Sequence, residues 1–482
     1  VENGMFSPVN NILLGGDKNT VRSSASDSIT SGRNNTTSGP GSIVAGWYNT
    51  NSATHSLVVG TSNTVGGTNN IVGGFGHANN DNAINSLLVG SYNSIDGHDS
   101  VALGKNNTIK GNNALVGGTG AKVQGNNAIA FGDSAKATYD DAYAIGRKAE
   151  ATAQNTVAIG NNAKANNIMG TAIGYNAKAK NDYATAVGYS STGSGNQSSA
   201  FGFNAEATAM NTTAVGSYAN ASGAYSTALG FKTAASNEDS VALGNYSTSA
   251  GKSAFAAGTL AKAAEKDSLA IGHSATTTKE NGIAIGTNAM AATDNSIALG
   301  AKSVTDTAVS TSSGVIGGRT YSFAGGNAVG TLSIGDSSAE RTITNVAAGR
   351  VSAASTDAVN GSQLHAIKDV VDNHENRITT IEGDINTLNN RIINGGANSL
   401  NEAKAYTDQQ VSSVAAASAA LAGLHPLDFD KHDKWSYSVG FGNYKNANAA
   451  ALGAFYRPNK NTMFNAATTV GNGRNTISLG AN

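Results

Sequence analysis

The chain has no cysteine. That excludes disulfides, zinc–thiolate sites and thiol catalysis together, and it suits a chain that crosses an oxidising compartment before folding. Charge is scarce, at 13% of residues with a net value of −1. Nucleic-acid-binding chains ordinarily carry a basic excess, so no nucleic-acid partner is expected. Long apolar runs are missing too. The longest near the C-terminus, 414–424, is interrupted by Ser418 and is shorter than the roughly 20 residues a membrane helix needs. No signal peptide precedes Val1, which is not a start methionine, and the chain reads as processed or trimmed. A length of 482 residues suggests about three domains.

Glycine, by contrast, is abundant, with 59 copies. "DSVALG", "DSLAIG", "NGIAIG" and "NSIALG" end at Gly244, Gly272, Gly286 and Gly300, and such glycines recur every fourteen residues from Gly90 to Gly300. Gly16, Gly32, Gly46, Gly60 and Gly74 continue the series upstream, with two-residue insertions at some steps. The third and fifth residues after each glycine alternate as a strand does: Ala163 and Ala165 or Ala177 and Ala179 in later repeats, Asn63 and Val65 or Asn107 and Ile109 in earlier ones. Each repeat therefore holds two short strands and two turns, one coil of a parallel β-roll. Twenty-one coils at about 4.8 Å each predict a rod on the order of 100 Å long.

In the later repeats both residues before the glycine are apolar, as in Ala298–Leu299, Ala284–Ile285 and Ala200–Phe201. Neighbouring strand residues point to opposite faces, and the coil interior covers only one of them. The other leaves an apolar stripe along the rod, larger than a soluble monomer exposes. A second face of this kind calls for further chains.

The fourteen-residue beat is expected to stop at Gly300, before a β-rich stretch over 301–341. From Leu364 the period becomes seven: Leu364, Val371, Ile378, Ile385 and Ile392 on one heptad position, Ile367, His374, Ile381 and Leu388 on the other. Isoleucine-rich cores tilt a coiled coil towards trimers or tetramers. Gly395–Gly396 is expected to interrupt the helix, and a second helical stretch, 399–424, ends before Pro426. The last segment alternates: Trp435, Tyr437, Val439 and Phe441 on one face, Ser436, Ser438, Gly440 and Gly442 on the other, with three further strands at 449–458, 461–470 and 475–482. Four strands cannot close a membrane barrel, which takes about eight at least. Three chains would supply twelve, and only a trimer suits the roll, the heptads and the barrel together.

These segments resemble the trimeric autotransporter adhesins, the YadA-like proteins of Gram-negative outer membranes. The "SVALG"/"SIALG" repeats are similar to their heads, "NVAAGRVSAASTDAVNGSQL" (345–364) to their neck and the final segment to their anchor. The resemblance implies a mixed fold: a trimeric left-handed parallel β-roll head, a neck, a trimeric α-helical coiled-coil stalk and a C-terminal 12-stranded (3 × 4) transmembrane β-barrel. The implied boundaries are 1–300 for the head, 301–342 for a connector, 343–364 for the neck, 365–398 for the stalk, 399–425 for a helix through the barrel and 426–482 for the barrel segment. Asp357, Asn360, Gln363 and Leu364 would be neck residues clamping three rolls onto a narrower coil, and Gly440 would face the barrel lumen. The last strand stops at Asn482, short of the aromatic terminus usual in the family, so the native chain is expected to extend further or to have been trimmed.

Chemistry is sparse. "AGKSAF" (250–255) lacks the upstream glycine of a phosphate-binding loop, Tyr246 standing there instead. The eight histidines show no metal-ligand spacing, and most are expected to be solvated. His374 would place three copies on the trimer axis, as an ion or water site or as a tolerated polar layer. Trp47 and Tyr48 would be a distal ligand contact or packing at an irregular coil. No catalytic, cofactor or metal site is expected. The reading is a non-enzymatic surface adhesin for host matrix proteins, glycans or bacterial surfaces, with outer-membrane lipid and the barrel-assembly machinery as further partners. A spacer rod that promotes autoaggregation is the alternative. A solenoid enzyme would need carboxylates aligned across coils, and an ice-binding roll would need unbroken threonine ladders; Thr171, Thr185, Thr213 and Thr227 are interrupted by Ser199.

Overall fold

The fourteen-residue period becomes the rung of a parallel β-solenoid. The computed structural model describes residues 4–5, 10–473 and 475–482. The chain divides into two units, residues 1–345 with 352–356, and 346–351 with 357–482. In the first unit each rung carries a longer strand ending near the repeat glycine and a two-residue strand after it, such as Val241–Leu243 and Thr248–Ser249. Rungs pair in parallel and in register, Ala242 with Ala256 and Ala256 with Ala270. From Gly32 to Gly300 the residue two before the repeat glycine is fully buried, as Ala242, Ala270 and Ala298 are. The residue one before it points outward and, where it carries a side chain, is half-buried or exposed: Leu229 at 47%, Leu299 at 44%, Phe201 at 40%.

The glycine is required by stacking. Gly160 has φ +134°, and a Cβ there would overlap the Gly174 carbonyl of the next rung. Each corner also holds a left-handed residue, for example Asn155 (φ 56°) and Asn162 (φ 59°), a conformation that asparagine tolerates better than most side chains.

The rungs come in two builds. Up to Leu115–Thr119 the longer strand has five residues or more, and the interior is filled by Val44, Val58, Val72, Leu88 and Val116. From Ile129–Phe131 onwards it has three, and its inward residue is alanine in every rung to Ala298. The corners differ as well. In the distal build, buried asparagines form a ladder in which the Asn49 amide oxygen accepts the Asn63 backbone N–H (3.1 Å) and the Asn35 oxygen accepts that of Asn49 (3.0 Å). A serine ladder serves the opposite corner, Ser56 N–H donating to Ser42 Oγ (3.2 Å). In the proximal build the same backbone donor turns back on its own rung, Ala163 N–H to the Gly160 carbonyl (3.3 Å).

His77 is the exception among histidines that are otherwise mostly exposed. It occupies the ladder position, three residues after Gly74, and is 1% exposed. Its Nδ1 accepts the Asn93 N–H (3.2 Å) and its Nε2 donates to the Gly73 carbonyl (3.1 Å). Both bonds exist together only in the neutral Nε2-protonated tautomer. His98, on the surface, lies 2.6 Å from Asp99.

The beat also outlasts Gly300. Ser303 and Thr305 keep the inward positions and are buried, because Met290 bridges to Val304 as in earlier rungs. The connector then forms a hairpin, Ser313–Ile316 with Arg319–Ser322. It returns so that Leu332–Ser333 adds in parallel to Ile297–Ala298, with Arg341 bonded to the Ala301 carbonyl and Ser303.

The second unit is built on one helix, Gly361–Ala422, 62 residues long. The expected break at Gly395–Gly396 does not occur. Glycine adopts helical dihedrals at a cost of about 1 kcal/mol each, and helix-forming sequence continues on both sides. The anchor sheet has four antiparallel strands, Trp435–Tyr444, Ala447–Asn459, Thr462–Gly471 and Ile477–Ala481. No helix among the described residues is long and apolar enough to cross a membrane, which leaves crossing by strands open.

Candidate functional site

Asp357, Asn360 and Gln363 come together around a loop of their own chain. Asn360 caps the helix: its side chain accepts the Gln363 N–H (3.2 Å) while Gln363 Oε1 accepts the Asn360 N–H (3.2 Å), a reciprocal capping box. The Gln363 amide also takes the Gly349 N–H (3.0 Å) and donates to the Gly349 carbonyl (2.7 Å), as a neighbouring strand would. Asn360 Nδ2 donates to the Val346 carbonyl (3.1 Å). Asp357 receives Arg350 through Nε (2.8 Å), the second guanidinium nitrogen (3.1 Å) and the backbone N–H (3.0 Å). The guanidinium holds the Asp357 carboxyl below its ordinary pKa, and Asp357 raises that of Arg350. Arg350 and Gly349 were not singled out in the sequence. Their signal was the Gly-Arg pair within 345–364, Arg350 standing seven residues before Asp357.

Leu364 is 63% exposed and begins the heptad stripe, whose members Val371, Ile378, Ile385, Ile367 and Ile381 are 49–59% exposed in a single chain. His374 lies in that stripe, exposed. An apolar stripe of this length on an isolated helix needs other helices to cover it.

At the C-terminal end of the helix, Ser412, Ser413, Ala416, Ala417 and Ala420 are the buried residues, packed with Ala447, Ala449 and Ala451 of the sheet. Gly440 lies under this face, and a side chain there would overlap the Ala420 carbonyl oxygen. Gly442, on the same small-residue face of the strand, is in the same position against the Ala416 carbonyl. The opposite face of the sheet is apolar and open: Tyr437 is 74% exposed, Phe441 80%, Ile477 76% and Leu479 77%. Trp435 packs on Tyr456 (4.7 Å) at one end of it. One surface fits small helix residues and the other fits lipid, the pattern of a barrel segment.

Trp47 and Tyr48 are 59% and 54% exposed at a distal corner. Among the described residues, no three histidine, aspartate or glutamate side chains gather closely enough to hold a metal.

These features define a protein made to be presented from a membrane, and the comparisons agree. The YadA head domain repeat matches seven segments between residues 110 and 303, the coiled stalk of trimeric autotransporter adhesin matches 342–387, and the YadA-like membrane anchor domain matches 427–482. Together they account for more than half of the chain. The chain belongs to the YadA-like trimeric autotransporter adhesins. It is an outer-membrane, cell-surface protein of Gram-negative bacteria.

Among individual proteins, the autotransporter adhesin BtaE of Brucella suis biovar 1 (strain 1330) is 56% identical over 71 residues, 15% of this chain and 10% of BtaE. The C-terminal YadA-like domain of BPSL2063 from Burkholderia pseudomallei is 44% identical, over 22% of this chain and 50% of that one, with a TM-score of 0.21. The collagen-binding domain of Yersinia adhesin YadA is 25% identical, over 52% of this chain and 86% of that one, with a TM-score of 0.18. The family assignment rests on the domain matches and BtaE. The chain spans about a tenth of BtaE's length.

Proposed function

We propose that three copies of this chain form an adhesin that attaches the cell to host matrix proteins, host surfaces or other bacteria. In this reading residues 1–300 are the presented head, 301–342 the connector and 343–364 the neck. Residues 365–398 are the stalk, 399–425 the helix threaded through the barrel, and 426–482 the barrel segment. The neck clasp of Asp357, Asn360, Gln363 and Leu364 seats each roll on the coiled coil, and Gly440 leaves room in the lumen. The barrel sits in outer-membrane lipid after insertion by the assembly machinery and exports its own passenger. The observation that carries this reading is the pair of apolar stripes, on the long strands of the head and on the helix, that one chain alone leaves exposed. Three copies present every contact three times, so weak contacts sum to avidity.

The experiment is display of the full chain on a Gram-negative host that lacks adhesins of its own. Attachment to collagen, other matrix proteins and cultured cells should rise about tenfold or more, and Trp47→Ser with Tyr48→Ser should reduce it if that corner touches the ligand. Displayed chain that neither attaches nor clumps overturns the reading. The near-neutral charge of −1 favours a second reading, self-aggregation in a biofilm, because sister cells repel little. Clumping without attachment would select it.

A further inference from the structure

We propose that over residues 140–231 the two corners of the head rungs are matched surfaces. The corner just after each repeat glycine packs against the opposite corner of a second copy, and the residues on the two corners fix the copies at equal height. The inference rests on the three-copy reading and adds the contact that sets its register. Each long strand has a corner on either side, as Tyr183 and Tyr189 flank Thr185–Val187. The apolar stripe runs between the corners. Copies that cover each other's stripes around an axis therefore bring the corner after the glycine of one against the corner before the long strand of the next, a closed head-to-tail ring. Rotation about an axis parallel to the roll changes no heights. One rung is fourteen residues and about 4.8 Å, so the residues that meet are about half a rung apart in sequence.

At that spacing the chemistry of the two corners agrees. Arg147–Lys148 stands opposite Asp140–Asp141, and Asn161–Asn162 opposite Gln154–Asn155. Tyr175 then stands opposite Ile168–Met169, Tyr189 opposite Tyr183, Tyr218 opposite Met210 and Phe231 opposite Tyr225. Phe203, opposite Asn196–Gln197, is the exception, and the match ends at Tyr246, opposite Glu238–Asp239. Half a rung in the other direction would set Asp133 against Asp140 and Asn161 against Ile168, which fixes the sense of the pairing.

One chain leaves both corners unsatisfied. Six rings stand one above another on the first, from Tyr175 to Tyr246. Tyr175, Tyr189 and Phe203 stack at 5.0 Å with interplanar angles of 10° and 12°, and the rest meet edge to face. These rings are 36–49% exposed, and Ile168, Met169, Tyr183, Met210 and Tyr225 on the second corner are 44–50% exposed. The ladder continues the stripe directly, since Ile173, Val187 and Phe201 precede the glycines of the same rungs. Stripe and ladder together exceed the apolar surface a soluble monomer exposes. The charged step is equally open. Among the described residues, neither Arg147, Lys148 nor the two aspartates makes an ion pair within its own chain.

The chain holds no cysteine, so engineered pairs report contacts directly. In the displayed full chain, Tyr183→Cys with Tyr189→Cys should give disulfide-linked dimers and trimers after mild oxidation and complete denaturation. Within one chain the two sites lie on either side of a strand, more than about 10 Å apart and out of reach of a disulfide. Each single variant should stay unlinked. So should Asn155→Cys with Tyr189→Cys, which is two rungs out of step. Near the charged step, Asn155→Cys with Asn162→Cys should link as well. Adding Arg147→Glu and Lys148→Glu should lower that yield about tenfold, as like charges across an interface do, and further adding Asp140→Lys and Asp141→Lys should restore it.

No linkage at the matched pair while the barrel still gives its heat-resistant trimer overturns the proposal. Equal yield from the shifted pair, or a charge swap that restores nothing, does the same. Retention on a neutral polysaccharide that is lost in a Tyr175→Ser, Tyr189→Ser, Phe203→Ser variant, in a chain whose matched pair does not link, would make the ladder a sugar platform instead. A chain that forms no trimer at all removes the three-copy reading with it.

Discussion

The distal and proximal parts of the head fold into the same rung by different means. In both, a backbone N–H three residues after the glycine is buried and must find an acceptor. Distal rungs supply it from the rung before, through Asn35, Asn49 and their successors. Proximal rungs supply it from within, by a tight turn onto the repeat glycine. The first solution needs a side chain long enough to span rungs and leaves room for valine and leucine inside. The second needs only alanine. A solenoid of this kind is therefore defined by hydrogen-bond satisfaction at its corners, and the size of its core residues follows.

The largest expected effect is one the two parts share. Gly60→Ala and Gly160→Ala each force a Cβ against the next rung's carbonyl at positive φ, and each should cost about 3 kcal/mol or more. Limited proteolysis should cut near either site. A large difference between them would mean that the parts do not share one stacking rule.

Core substitutions should separate the parts. Leu88→Ala should cost about 2–5 kcal/mol as a cavity. Ala172→Leu should destabilise by about 1–3 kcal/mol or more through overpacking. Thermal unfolding of both variants checks whether the distal interior really is the roomier one.

The ladder comes next. Asn49→Ala removes the acceptor of the Asn63 N–H, at about 1–3 kcal/mol for a stranded buried donor. Ser191→Ala in the proximal part leaves the corresponding N–H on the Gly188 carbonyl and should cost about 1 kcal/mol or less. Hydrogen exchange at the Asn63 amide reads the first directly.

The smallest effect is that of pH on His77. Burial holds its pKa below the ordinary value, against backbone bonds that act in the other direction. The unfolded chain takes up a proton near pH ~6.5 and the folded rung only at lower pH. The contribution is therefore fully present above that point and is lost as pH falls from it towards the folded value. His77→Asn, which restores the ladder residue, should flatten this part of the pH–melting curve relative to wild type.

Much of this was legible because a fixed period fixes phase. Residues such as Ala163 and Ala165 or Val65 and Ile109 declare their inward position by their distance from a glycine. His77 shares the phase of Asn63 and Asn93, and only that phase marks it as buried, because histidine as a residue type does not. The extra half-rung at Ser303–Thr305 and the return of Leu332 depend on pairing across some thirty residues of irregular chain, which no local pattern encodes. Gly395–Gly396 misled because propensity is a weak term in a long helix. Asn360 and Gln363 were named through the family resemblance, and their capping box emerges only once the helix starts at Gly361. Arg350 was not named, since its role depends on the loop folding back to Asp357.

The return of Leu332–Ser333 onto Ile297–Ala298 has a consequence for how the molecule behaves in a crowd. A stack of parallel strands ends in a row of unpaired backbone donors and acceptors, a template on which another chain can grow. Here the protein's own connector occupies part of that row, and neighbouring molecules are denied the register they would need to extend it. The stack has a built-in last step, so that part of its end offers no free strand edge.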